Sequence, residues 1–126
     1  YPTALGAKVA MPDSPVVAIS GDGGFLYNSQ EMATAVKYGI NAIALVFNDN
    51  AYGNVLRDQI DKYDGRTIGS ELHNPNFVKL AEAYGVRGMR AENAENLESS
   101  LRSAVSFDGP TLIEIPIETG AMAPHL

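Results

Sequence analysis

The strongest constraint on the fold is a repeated pairing of short apolar runs with stretches of helical periodicity. PVVAIS at residues 15–20 and AIALVF at 42–47 are apolar runs of strand length, each followed by a polar turn. The run at 16–20 is bounded by Pro15 and Gly21, is too short for a helix, and is apolar at odd and even positions alike. That pattern predicts a strand inside a parallel sheet, buried on both faces. TLIEIPI at 111–117, after an Asp-Gly-Pro turn, predicts another strand, and 86–91 predicts one broken by its arginines and Gly88.

Helices fill the intervals. Residues 2–11 carry Leu5, Val9 and Ala10 and stop at Pro12. Asn28 fits an N-cap with Glu31 closing a capping box, Met32, Ala35 and Val36 form a stripe, and Gly39 ends the helix. A helix starting near Tyr52 places Leu56, Ile60 and Tyr63 on one face, and 64–72 predicts a surface loop. Asn74 and Pro75 read as N-cap and N1 of a helix whose Phe77, Leu80, Ala81 and Tyr84 recur at i, i+3, i+4 and i+7. Leu97, Leu101, Ala104 and Val105 mark a further helix. Strands alternating with helices predict an α/β chain: a three-layer α/β/α arrangement with an open, mainly parallel sheet, in one domain over 1–126. Ligands of such sheets bind beyond the carboxyl ends of the strands, here the loops after Ser20 and Phe47.

Composition narrows the chemistry. A net charge of −6 without any basic run argues against a nucleic-acid or anionic-membrane partner. There is no cysteine, and two histidines, His73 and His125, are too few for a histidine-built zinc site, which leaves oxygen ligands for any metal. The apolar runs are too short to span a bilayer and none reads as a signal peptide, so a cytoplasmic protein is expected. The chain opens at Tyr1 rather than methionine, which suggests a piece of something longer.

The two strand-end loops carry the functional signal. In GDGGFL the glycines either let the backbone turn, with Asp22 as a cap, or clear space for a ligand that Asp22 holds. Asn48, Asp49 and Asn50 either cap the following helix or supply oxygen ligands. If the two strands are neighbours, both loops face one crevice, and their oxygens beside a glycine-rich turn and a helix start suit a magnesium ion holding a phosphate group.

GDGG followed by an apolar strand that ends in NDNAYG resembles the diphosphate-binding domain of thiamine diphosphate-dependent enzymes, nearest to the acetolactate synthase and 2-oxo acid decarboxylase group. Stretches similar to PTALGAK and HNPNFVKLAEAYG flank the same signature in that group, so the resemblance covers nearly the whole chain. It implies that Asp22 and Asp49 bind magnesium through their side chains and Ala51 through its backbone carbonyl, with diphosphate oxygens and a water completing the sphere. It further implies that Gly21 lies against the cofactor, that Gly23 and Gly24 present amides to the diphosphate, and that Tyr52, Gly53 and Asn54 do so from the next helix. Asp49 departs from the asparagine usual in the family, and a second register with Asn50 as the ligand stays open.

The resemblance also implies a 2-oxo acid substrate and at least a homodimer, or a homotetramer, in which the pyrimidine-binding domain of a second subunit supplies the activating glutamate. No catalytic residue is assigned within this chain. Val55 stands where pyruvate decarboxylase-like members carry an acidic residue, which favours a synthase-like member. Arg57 and Arg66 read as surface charges, His73 as a loop residue, Tyr27, Tyr38, Tyr63 and Tyr84 as helix or core packing, and 122–126 as a terminal tail. The rival readings are a non-catalytic cofactor-binding or assembly module and a magnesium-dependent phosphoryl-transfer enzyme. Against the second, Gly24 stands where such sites usually place a second aspartate. A dinucleotide-binding turn is disfavoured because GDGGFL lacks the last glycine of G-x-G-x-x-G.

Overall fold

The computed structural model describes residues 1–119, so the expected tail at 122–126 and His125 lie outside the described residues. The chain runs α1 (Pro2–Ala10), β1 (Val17–Gly21), α2 (Asp22–Leu26), α3 (Glu31–Tyr38), β2 (Ile43–Asn48), α4 (Gly53–Lys62), α5 (Phe77–Tyr84), β3 (Arg87–Arg90), α6 (Ala94–Val105) and β4 (Thr111–Pro116). The strands form one parallel sheet in the order β1-β2-β4-β3. β2 and β4 are central, and their apolar runs are buried on both faces, as parallel strands require.

Each face of the sheet carries its own core. Ala44 and Val46 of β2 and Leu112 of β4 point to the face where Phe25, Met32, Phe77 and Ala81 of α2, α3 and α5 pack. Ile43, Leu45, Ile113 and Ile115 point to the other face, where α6 supplies Leu97, Leu101 and Ala104. This is the expected three-layer arrangement. Gly88 lets α5 approach β3 closely, since a Cβ there would lie 2.7 Å from the Val78 carbonyl oxygen.

Several local expectations are corrected. β1 is an edge strand, not a strand buried on both faces: Val17 and Ile19, which share the α6 face, are 41% and 73% exposed. Apolar residues at every position do not report whether a neighbour covers them. Asn28 does not cap α3. The amides of Asn28, Glu31, Met32 and Ala33 donate to the carbonyls of Phe25, Asn28, Ser29 and Gln30, so a run of turns leads into α3 and satisfies the donors a side-chain cap at Asn28 would take. Glu31 instead accepts from the Thr34 hydroxyl. α5 is capped by Asn76, whose side chain accepts from the Lys79 amide, and not by Asn74.

Exposure corrects the stripes as well. On α4 only Leu56 is buried, while Ile60 and Tyr63 are exposed, and Val9 and Val105 are exposed on α1 and α6. Of the four tyrosines expected to pack, Tyr84 packs against the core, whereas Tyr27, Tyr38 and Tyr63 are exposed. Among the described residues, no helix is long and apolar enough to cross a membrane.

Candidate functional site

The parallel pairing of β1 with β2 sets Gly21 opposite Phe47, so the next residue on each strand, Asp22 and Asn48, emerge side by side at the carboxyl end of the sheet. The condition for reading the two loops together is therefore met. GDGG is not a free turn: Gly21 ends β1 in extended backbone and Asp22 opens the single-turn helix α2. Asp22 is 2% exposed and Asp49 9% exposed, an unusual degree of burial for carboxylates.

Two adjoining clefts, of about 230 and 200 Å³, share Gly21, Asp22, Ala51, Gly53 and Asn54. The first adds Gly23, Gly24 and Tyr52, and the second adds Asp49 and Arg57. All nine residues singled out in the sequence thus meet at one place. Asn50 is exposed, holds a left-handed backbone (φ 57°) and lines neither cleft. The left-handed residue turns the chain so that Asp49 faces inward while Asn50 faces out.

The glycines differ in what they allow. A Cβ at Gly21 or Gly24 would meet nothing within 4 Å, so these residues keep the cleft wall low. At Gly23 a Cβ would lie 2.5 Å from the Tyr52 ring, and at Gly53 it would lie 2.7 Å from Asp49 Oδ2. Gly23 therefore lets the two loops close on each other, and Gly53 lets α4 start directly against the Asp49 carboxylate of its own loop.

Backbone hydrogen bonds sort the amides. Gly23 N–H donates to Asp22 Oδ1 (2.8 Å) and Ala51 N–H to Asp49 Oδ1 (3.2 Å). The Tyr52 amide, expected to face a diphosphate, donates instead to the Ser70 carbonyl, because Ala51 and Glu71 form a short antiparallel bridge. Tyr52 contributes its ring, which stacks on Tyr27 at a centroid distance of 6.5 Å, with the two hydroxyls 3.2 Å apart. That hydrogen bond, followed by burial and by the charges of Tyr27 and Asp22, raises the Tyr52 pKa above the ordinary phenol value. The opening amides of α4, at Gly53 and Asn54, have no preceding helical turn to bond to.

Sequence reasoning missed Asn74. Its side-chain amide donates to Asp22 Oδ2 (2.5 Å) and to Asn48 Oδ1 (2.8 Å), and Asn48 Nδ2 donates in turn to Glu114 Oε1 (2.8 Å). The Asn-Pro pair that suggested a helix start concealed it. Glu114 is 2% exposed in the middle of β4, where its register partner Arg90 reaches it at 3.1 Å. A glutamate inside an otherwise apolar strand was the available signal. Arg57 bonds to the Asn54 side chain (2.9 Å) at the rim of the second cleft, Arg66 pairs with exposed Asp64, and His73 is exposed in the loop before α5. Among the described residues, no three histidine, cysteine, aspartate or glutamate side chains gather as a metal site, so any cation here would draw on backbone or amide oxygen as well.

A parallel α/β sheet that brings buried carboxylates, glycines and a helix start together at the carboxyl ends of adjacent strands defines an α/β domain with a candidate ligand cleft at its strand ends. The family described as "Thiamine pyrophosphate enzyme, C-terminal TPP binding domain" matches residues 1–115, and the chain belongs to it. The acetolactate synthase of Bacillus subtilis (strain 168) is 38% identical over 93% of this chain and 20% of its own length. The catabolic acetolactate synthase of Raoultella terrigena is 41% identical over 93% of this chain and 21% of its length. The solved thiamine diphosphate-dependent 4-hydroxybenzoylformate decarboxylase of Rhodococcus jostii RHA1 superimposes with a TM-score of 0.88 at 34% identity, covering 95% of this chain and 23% of that one. The chain thus spans about a fifth of the length of these relatives.

Proposed function

We propose that the two strand-end loops hold the diphosphate of thiamine diphosphate through a magnesium ion, within a longer acetolactate synthase-like or 2-oxo acid decarboxylase-like enzyme. The observation that carries the reading is the meeting of Asp22, Asp49 and Ala51 with an open glycine wall at the end of paired strands β1 and β2. The donor set fits. Two carboxylates and a carbonyl are hard oxygen ligands of the kind magnesium takes, and the wall at Gly21 and Gly24 has the room a diphosphate needs.

In this reading Asp22 and Asp49 ligate through their side chains and Ala51 through its carbonyl. Amides of Gly24, Gly53 and Asn54 face the diphosphate, assisted by Gly23 once Asp22 Oδ1 turns to the metal, and the Tyr52 ring walls the cleft. The metal offsets the repulsion between two aspartates and the diphosphate. When bound, the cofactor supplies a carbanion nucleophile and an electron sink for 2-oxo acid chemistry. The residues of this chain anchor and orient it. The remainder of the longer protein and a second subunit's pyrimidine-binding domain complete a cytoplasmic homodimer or homotetramer. Arg57 at the rim donates to the Asn54 side chain.

Asp49 in place of asparagine adds a negative charge, so cofactor binding depends more strictly on metal than with asparagine there. The test is calorimetric titration of the intact protein with thiamine diphosphate with and without magnesium, for the parent, Asp22→Ala and Asp49→Asn. The parent binds only with magnesium, Asp22→Ala loses that linkage, and Asp49→Asn gains some metal-free binding. Metal-independent binding by the parent would sink the proposal.

A further inference from the structure

The sheet face beneath the cleft carries a continuous polar chain that an apolar core does not require. Glu114 sits between Leu112 and the strand end on the face covered by α5, with Val46 and Arg90 as its register neighbours. From there the hydrogen bonds run Glu114 Oε1 to Asn48 Nδ2, Asn48 Oδ1 to Asn74 Nδ2, and Asn74 Nδ2 to Asp22 Oδ2. The directions are fixed by chemistry. A carboxylate only accepts, so Asn48 must turn its amide nitrogen to Glu114 and its oxygen to Asn74 and to the Asn50 amide. Asn74 must then offer both protons of its nitrogen, one to Asn48 and one to Asp22. Its own oxygen is buried without a partner, as is Glu114 Oε2, so the network is held at the cost of two unsatisfied acceptors.

We infer that Asn74 is a positioning residue for Asp22, set by Glu114 through Asn48. The amide holds Oδ2 of the carboxylate, while Oδ1, which accepts from the Gly23 amide, is the oxygen left on the ligand side of the loop. Arg90 secures the far end by holding the Glu114 carboxylate, while its own guanidinium also meets Glu92. Glu114 thereby acts on a site it does not touch. The inference rests on the reading of Asp22 as a metal ligand, and partners that orient such ligands typically tune metal affinity by about 10- to 100-fold.

The test measures the magnesium concentration that half-saturates thiamine diphosphate binding, by calorimetry on the intact protein, with thermal unfolding alongside. Asn74→Ala raises that concentration about tenfold or more. Asn74→Asp, equal in size, replaces the donor with an acceptor beside Asp22 and raises it further, so the outcome does not hang on a cavity. Glu114→Gln raises it in the parent and adds little in the Asn74→Ala background, because its influence passes through Asn74. A purely structural role would lower the unfolding temperature and leave half-saturation in place. If Asp22→Ala abolishes the magnesium linkage while both Asn74 variants keep the parent's half-saturation, this inference alone is overturned. If Glu114→Gln acts equally in both backgrounds, the relay through Asn48 is overturned. If Asp22→Ala keeps the linkage, the underlying assignment of the metal fails first.

Discussion

β1 and β4 invert the usual relation between polarity and burial. β1 reads VAISG and carries no charge, yet its Ile19 is 73% exposed; β4 reads TLIEIP with a glutamate at its centre, and that glutamate is 2% exposed. Place in the sheet decides the outcome. β4 has neighbours on both sides and helices over both faces, whereas β1 has β2 on one side and lies beyond the reach of α6. The buried charge persists because Arg90 and Asn48 meet it, and it lies directly under the candidate site rather than in the apolar centre. A strand that is polar where it should not be is a better pointer to function than one that is apolar throughout.

The contrast breaks most readily in the core. Leu112→Ala, at a fully buried position of β4, lowers stability by about 2–5 kcal/mol in denaturant unfolding of the intact protein, because it leaves a cavity under α5. Gly88→Ala forces a Cβ onto the Val78 backbone and costs about 1–3 kcal/mol in the same assay. Ile19→Ser in β1 changes stability by no more than about 0.5 kcal/mol in denaturant unfolding of the 1–126 chain, where the side chain has little burial to lose. Gly21→Ala separates the two properties. Its Cβ enters open space, so stability holds while thiamine diphosphate affinity falls as the cleft wall rises, read by calorimetry beside unfolding.

Much of the fold was legible because strand-length apolar runs and helical stripes report element type directly. Their covering was not. Val17 and Ile19 look as buried as Ala44 and Val46 in the sequence, and only the strand order distinguishes them. In the site, Asp22 and the cluster Asn48, Asp49 and Asn50 stood out because the strand ends on which they lie were visible, Asp49 was singled out by the family resemblance, and the structure brings the two loops together. Asn74 was hidden by a local rule. An Asn-Pro pair ahead of an apolar stripe fits a helix cap, but Asn76 takes the cap and frees Asn74 for a long-range bond, 52 residues away in sequence. Glu114 likewise acquires a partner from another strand and a bond from another loop, information that no window around it contains.

The proposal that Asp22, Asp49 and Ala51 hold the metal that holds the diphosphate has one direct test. A crystal structure of the intact protein with thiamine diphosphate and manganese in place of magnesium locates the metal directly from its anomalous scattering. The expected result is one peak between the Asp22 and Asp49 carboxylates and the Ala51 carbonyl, touching the diphosphate, with Asn74 still bonded to Asp22. A metal bound through Asn50, or a diphosphate seated away from Gly21 and Gly24, would contradict it.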